Sequence, residues 1–411
     1  MARTPGDAGA VRLLSLLPFP PRPDGAHGAS RMTGQLLECL AGRHEVAAVY
    51  LRAPEEPPIA PELVEALALA SKVDRPSLVG SGGARRWARR AGGLIGGRPS
   101  WPTDWRVPAF AARTHELVAA WRPDVVQAEL GVMGQYLGGL APPTVLVEHD
   151  PGAAAATGLA AWERGLRRAG RRLDAAAWRR YERHVLPAAD AVVAFTAEDR
   201  AALSVLAPDA RVVRIAPGVR LPPQPSDPVG TPPPRVLFLG SFIHPPNVDA
   251  AIRLARNIMP SVWARVPEAT LEIVGDAPPA RVQALGGDGV VVTGRVADVR
   301  PHFDGAAVVA APLRLGGGMR VKVLEALAAG KAIVATPRAL AGLELVPGTH
   351  ALVADTDADL SAALADLLED PQRRRRIGSA ARQWAETHLG WERAAGAYTE
   401  LYELLLAERA R

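Results

Sequence analysis

A single cysteine, Cys39, stands among 411 residues, which excludes an internal disulfide framework and a cysteine-ligated zinc cluster and points to a reducing, cytoplasmic setting. No stretch approaches the ~18 consecutive apolar residues of a membrane-crossing helix. The early apolar run VRLLSLLPF is short, broken by Arg12 and followed by prolines rather than a small-residue cleavage site, so it reads as a first strand. No G-x-G-x-x-G follows a strand, which argues against a nicotinamide-dependent oxidoreductase. Aromatic residues are 5% of the chain and no nucleic-acid-binding signature accompanies the basic clusters, which argues against nucleic acid as a partner.

What is present is a globular composition, 48% hydrophobic and 22% charged, long enough for two cores. The net charge of +5 rests largely on arginine clusters: Arg85, Arg86, Arg89 and Arg90; Arg167, Arg168, Arg171 and Arg172; and Arg373 to Arg376. Such clusters are usually solvated helix faces, and they also suit peripheral contact with an anionic membrane at its inner face.

Strands and helices alternate along the chain. A strand over Val11–Leu17 leads through the Pro/Gly loop PFPPRPDGAHGASRM to a helix over Ser30–Leu40 and the strand HEVAAVYL. Residues 53–107 carry no assignable pattern. A helix over Pro108–Trp121, the strands PDVVQAEL and PPTVLVEHD, a long helix over Ala155–His184 and the strands AVVAFT and RVVRIAPGV complete a first half, residues 1–220. LPPQPSDPVGTPPP, residues 221–234, cannot hold a helix and reads as a linker. The alternation then restarts over 235–390 with RVLFLG, a helix over Asn247–Val266, TLEIVGD, GVVVTGRV and AAVVAAP, and residues 391–411 form a last helix with an apolar face. Two doubly wound, Rossmann-like parallel sheets facing one another across a cleft are expected, with ligands at the carboxyl ends of the strands.

The stretch GGGMRVKVLEALAAGKAIVAT, Gly316–Thr336, carries the most chemistry. It reads as a bare loop after a strand, a helix from Met319 to Ala329 closed by Gly330, and a further strand. The glycines allow close approach of backbone to ligand, and the helix start offers unpaired N–H groups. Arg320 and Lys322 place two cations where the helix dipole disfavours them, a conflict that an anion such as phosphate removes. Glu325, on an otherwise apolar segment, suits a pair of sugar hydroxyls; alternatively it pairs with Lys322 at i, i+3.

These residues resemble glycosyltransferase family 4, the retaining enzymes of the GT-B fold, through LFLGSFIHPPNVDA, LEIVGDAP, VVVTGRVADVRPHF, VVAAPLRLGGGMRVKVLEALAAGKAIVATPRALAGL and PGTHALVAD, with PFPPRPDGAHGASRM, Arg180–Glu182 and RIAPGV in order before them. The resemblance implies transfer of a sugar from a nucleoside-diphosphate sugar to a hydroxyl acceptor, with no metal or other cofactor. The inactive alternative is a scaffold that binds the donor without turnover. Glu325 matches the second glutamate of the family's pair, which binds ribose; Gly317 stands where the first would fall, as in a branch with a GGG-x-R-x-K loop. There the backbone of Gly316, Gly317, Gly318 and Met319 is implied to hold phosphate and sugar hydroxyls. The usual Arg and Lys after LFLGSF are absent, with Ser241 and Pro246 nearby, which leaves Arg320 and Lys322 as the diphosphate cations. Gly240 and Ser241 fall in the same donor site, and Val274, Gly275, Gly294 and Val296 match positions where backbone meets the base. His149 matches the cleft histidine near the reacting sugar. Gly28 and Arg31 match a phosphate or acceptor loop, in which His27 replaces a usual glycine. The D-T-D at Asp355–Asp357 fits this frame rather than a metal motif. The family's last helix crosses back onto the first domain.

Overall fold

The computed structural model describes residues 9–25, 28–77, 83–316 and 320–411, and contains two parallel sheets separated in sequence by the proline-rich stretch 221–234. The first sheet comprises β1 (Arg12–Leu17), β2 (Glu45–Arg52), β3 (Leu69–Asp74), β4 (Val125–Glu129), β5 (Thr144–Glu148), β6 (Ala191–Ala194) and β7 (Val212–Arg214), in the order β3-β2-β1-β4-β5-β6-β7. The second comprises β8 (Arg235–Leu239), β9 (Thr270–Val274), β10 (Val290–Gly294), β11 (Val308–Ala311), β12 (Ile333–Ala335) and β13 (Leu352–Val353), in the order β10-β9-β8-β11-β12-β13. Helices cover both faces, so β4, β5 and β11 are buried end to end; β11 is wholly apolar, while β4 and β5 keep buried polar residues near their ends. Each order reverses once, at β1/β4 and at β8/β11, which opens a crevice at the carboxyl ends of those strands. The two doubly wound sheets expected from the alternation are therefore present.

Several boundaries differ from the sequence reading. Within 53–107 lie helices Pro61–Ala66, Gly83–Ile95 and Ser100–Asp104 and the whole of β3, whose half-exposed LASKVD lacks an apolar run. The long helix expected over Ala155–His184 is two, Gly152–Trp162 and Gly165–Val185, because Glu163 and Arg164 adopt extended backbone between them. The helix after β8 starts at Pro245 and contains a π-turn over Leu254–Ile258. The helix after β11 is shorter than expected, Val321–Ala328, with Arg320 as its N-cap rather than in its first turn.

The arginine clusters are only partly solvated. Arg86, Arg89 and Arg90 all bond the buried carboxylate of Asp104, at 2.9 and 3.0 Å for the first two. Arg374 is buried and donates to the carbonyls of Leu367 and Leu368, closing the end of the preceding helix. Arg167, Arg168 and Arg172 are exposed.

The last helix, Trp391–Arg409, crosses back to the first sheet. Ala395, Tyr398, Leu401, Tyr402 and Leu405 are buried in one core with Leu13, Leu36, Val125, Val145 and Val193 of the first half. Trp391 is only partly buried, and its indole N–H donates to Gln35 at 2.8 Å. At the opposite end of the connection, Arg382 donates to the carbonyl of Pro222 at 2.9 Å and Lys331 to that of Asp227, so 221–234 is held against the second half.

Candidate active site

The second half builds its side of the cleft from strand ends. Gly240, after β8, donates to Val274 O at 2.9 Å, and Gly275, after β9, donates to Gly294 O at 3.0 Å, so three strand ends form one stepped edge. A Cβ on Gly275, at φ +154°, would lie 1.8 Å from Gly240 O, which is why the edge tolerates only glycine there. Val274 is buried within this edge and Val296 packs partly buried behind it. Ser241 continues it and accepts at its carbonyl from Asn247 Nδ2 at 2.7 Å.

Lys322 lies over this edge, and Arg320, at the start of the same helix, lies beside Gly316 after β11. Lys322 Nζ donates to Asn247 Oδ1 at 2.5 Å and sits 4.6 Å from the centre of the Phe238 ring. Gly240 makes room for the pair, since a Cβ there would lie 3.0 Å from Nζ and 2.8 Å from Asn247 Cγ. Burial, with Arg320 adding and Glu325 opposing, pushes the Lys322 pKa down to about 7. Burial also lowers that of Arg320; Asp150 counters this, Arg338 adds to it and Asp199 counters it again. Two half-buried cations, each pushed toward its neutral form by loss of hydration, form a site that an anion would stabilise. Gly316, at φ +99°, accepts from Arg338 at 3.3 Å, while Gly317, Gly318 and Met319 lie outside the described residues.

The first half supplies the opposite wall. His149, just past β5, has Nε2 2.8 Å from Glu129 Oε2 at the end of β4, and its ring lies 4.9 Å from that of Phe195. Gly28 opens the helix Gly28–Ala41, and a Cβ on it would fall 3.0 Å from Val321 Cγ2, so two helix starts from the two halves abut. Arg31 Nε donates to Glu325 Oε1 at 2.9 Å and its Nη1 to Gly25 O at 2.9 Å. Glu325 therefore pairs across the cleft with Arg31 rather than along its helix with Lys322. The structure thus gathers His149, Arg320, Lys322, Glu325, Gly28, Arg31 and Gly316 around one crevice at the strand ends.

Residues 26–221 match the family model described as glycosyltransferase family 4, and residues 233–370 match that of glycosyl transferases group 1. The chain belongs to glycosyltransferase family 4. A GDP-mannose-dependent alpha-(1-6)-phosphatidylinositol monomannoside mannosyltransferase of Mycolicibacterium smegmatis is 34% identical over 192 residues, 43% of this chain and 48% of that protein. A GDP-mannose-dependent monoacylated alpha-(1-6)-phosphatidylinositol monomannoside mannosyltransferase of Corynebacterium glutamicum is 34% identical over 147 residues, 33% of this chain and 39% of that protein. The chain thus spans about half or less of the length of these curated relatives. Among solved structures, sucrose-phosphate synthase of Thermosynechococcus elongatus superposes with a TM-score of 0.71 at 19% identity, over 97% of this chain and 100% of that one. WaaG, a glycosyltransferase involved in lipopolysaccharide biosynthesis, gives 0.64 at 16% identity, over 95% and 99%. At such identities these likenesses show the fold, and it is the GT-B fold.

Behind the crevice of this GT-B chain lie acids that the sequence reading passed over. Glu148 and Glu182 are buried, as is the carboxyl of Asp150, and a Cβ on Gly131 would lie 2.1 Å from Glu148 Oε2. Burial, then Glu182 and Asp150, push Glu148 well above the usual carboxylate range. Burial raises Asp150 and Glu182 each to about 7, although Glu182 accepts from Ala153 N at 3.0 Å. The folded chain therefore keeps protons that the unfolded chain releases near pH 4, so stability falls as pH rises from about 4 to about 7. Paired acids whose values are lowered, such as Asp104 and Asp357, act in the opposite sense only below about pH 4. His44, His244 and His350, and Lys322 and Lys331, all lowered chiefly by burial, act in the opposite sense within this window, so the acids are isolated by substitution: Glu148→Gln should lose less stability than the wild type between pH 5 and pH 8. Melting profiles of the same slope for the two proteins would remove Glu148 as a source of instability.

Asn247 and Asp150 were the other omissions. Asn247 sits in the quoted SFIHPPNVDA and Asp150 in VEHD, but neither is a cation, and only the folded chain brings them to Lys322 and Arg320.

Proposed function

We propose that this chain moves a mannosyl group from GDP-mannose to a hydroxyl of a lipid-linked glycan, with retention of configuration and without a metal. The observation that carries this is the placement of Arg320 and Lys322, two half-buried cations at the start of the Val321–Ala328 helix, in the crevice at the strand ends. As the sugar–phosphate bond breaks, the departing diphosphate gains charge, and cations aimed at it stabilise that state more than the bound donor. With that charge met by protein cations, a metal is not required. Retention, which the family resemblance implies, would without an enzyme nucleophile require attack by the acceptor on the face the diphosphate leaves. The base and sugar follow the two GDP-mannose-dependent relatives. The exposed arginines Arg167, Arg168 and Arg172, beside the exposed Leu166 and Leu173, suit a peripheral contact with the anionic membrane that would hold such an acceptor. No described helix is long and apolar enough to cross a membrane.

Purified protein incubated with radiolabelled GDP-mannose and extracted lipid, in excess chelator, should give an α-linked labelled glycolipid. UDP-glucose should give none. Binding of GDP without transfer or donor hydrolysis would mark a donor-binding scaffold instead, and a β-linked product would remove retention.

Glu325→Gln should weaken GDP binding by about 1 to 3 kcal/mol, the size of a charged hydrogen bond, because the amide loses the charge that strengthens bonds from two ribose hydroxyls. Calorimetric titration of both proteins checks it. Unchanged affinity would show that Glu325 serves only its bridge to Arg31.

A further inference from the structure

A line of buried polar groups runs from the last helix to the cleft. The Tyr402 hydroxyl donates to Gln127 Oε1 at 2.6 Å, Gln127 Nε2 donates to Glu129 Oε1 at 2.6 Å, and Glu129 Oε2 meets His149 Nε2 at 2.8 Å. Tyr402, Gln127 and Glu129 are fully buried. Gln127 and Glu129 are alternate residues of β4 and so share one face of a central strand that is otherwise apolar. A polar pair at that depth costs stability unless every atom is satisfied, and here each partner satisfies the next.

We propose that Tyr402 is a positioning residue for His149, fixing its tautomer through Gln127 and Glu129; this rests on the transferase reading above. The direction of each bond makes the line work. The phenol donates to the amide oxygen, which pins the Gln127 amide with its NH2 toward Glu129; a flipped amide would set oxygen against oxygen. As a carboxylate, Glu129 only accepts, so it holds the His149 proton on Nε2 and leaves Nδ1 with a lone pair for a hydroxyl of the bound sugar. Tyr398, one turn earlier on the same helix and equally buried, has no hydrogen-bond partner for its hydroxyl among the described residues. The helix thus offers two tyrosines in one core, of which one is wired to the cleft.

The test uses the full chain carrying 15N-labelled histidine. In the wild type the His149 imidazole is expected as the Nε2–H tautomer. Tyr402→Phe should shift it to a mixture of tautomers, whereas Tyr398→Phe should not. An unchanged tautomer in Tyr402→Phe overturns the proposal. In the transferase assay, Tyr402→Phe should lower kcat roughly ten-fold, the worth of one hydrogen bond lost at the barrier, with the donor KM unchanged. The same substitution in a His149→Ala background should lower kcat no further, while a merely structural role would lower it equally in both backgrounds and overturn the proposal. Gln127→Met, which interrupts the line from within the sheet, must reproduce the tautomer mixture; it also serves if Tyr402→Phe fails to fold. Should the wild type transfer no sugar, the transferase reading fails, and the labelled imidazole still decides the fate of the line.

Discussion

Arg320→Ala is expected to lower turnover by about 10²- to 10³-fold at saturating donor, the usual cost of removing one preorganised donor from a developing oxyanion. Ground-state affinity for the donor should fall much less. The reason is timing, because the β-phosphate gains its extra charge only as the bond to the sugar breaks, and an interaction that strengthens then lowers the barrier rather than KM. Arg320 suits this role because it is half-buried, with part of its hydration already removed, so less reorganisation accompanies the reaction. Lys322→Ala should act in the same direction with an added pH dependence. With the Lys322 pKa near 7, its charge is present in the free protein below that pH and is lost above it, so the mutational loss in kcat/KM, which reports the free protein, should be larger at pH 6.5 than at pH 8.5. Steady-state kinetics at both pH values, with melting curves to confirm folding, check both variants. A change confined to KM would show that the two cations bind the donor uniformly and do not drive departure of the diphosphate.

Removing residues 391–411 is expected to undo the first half while leaving nucleotide binding in the second. Tyr398, Leu401, Tyr402 and Leu405 are all buried against strands and helices of residues 1–220. At ~1.5 to 3 kcal/mol for each large apolar side chain, their burial contributes roughly 6 to 12 kcal/mol before conformational entropy is subtracted. That is comparable with the whole stability of an ordinary domain, about 5 to 15 kcal/mol. The deletion also strips Gln127 of its only described tyrosine donor inside a central strand. Limited proteolysis should reveal new cleavage within residues 1–220, with transferase activity abolished, while GDP still protects fragments of the second half. A truncated protein with full activity and no new cleavage would show that the crossing helix is dispensable.

How much of this was legible beforehand depended on distance along the chain. The mostly apolar runs RLLSLL, TVLVE and RVLFL announced buried parallel strands because helices on both faces leave little room for polar residues, whereas VVQAE, equally buried, carries Gln127 and Glu129. The glycine loop, the two cations and Glu325 were legible because a strand, a loop and a helix start are neighbours in sequence, and the conflict between cations and helix dipole is local. β3 and β13 were not legible: LASKVD is half exposed at a sheet edge, and β13 is two residues long, so neither carries the apolar signal of a central strand.

The amino-acid sequence by itself determined the alternation of strands and helices, the split into two halves and the glycine-rich stretch between β11 and the next helix, since each follows from the preferences of residues within a few positions of one another. Only the tertiary structure decided that Glu325 meets Arg31, that Lys322 rests on Asn247 and that Tyr402 reaches Glu129 through Gln127, contacts that join residues 294, 75 and 275 positions apart in the first, second and Tyr402–Gln127 cases. Such pairings are set by strand order and by a helix that crosses between halves, and a buried glutamine in β4 has no reading until the tyrosine that satisfies it has been carried to its side.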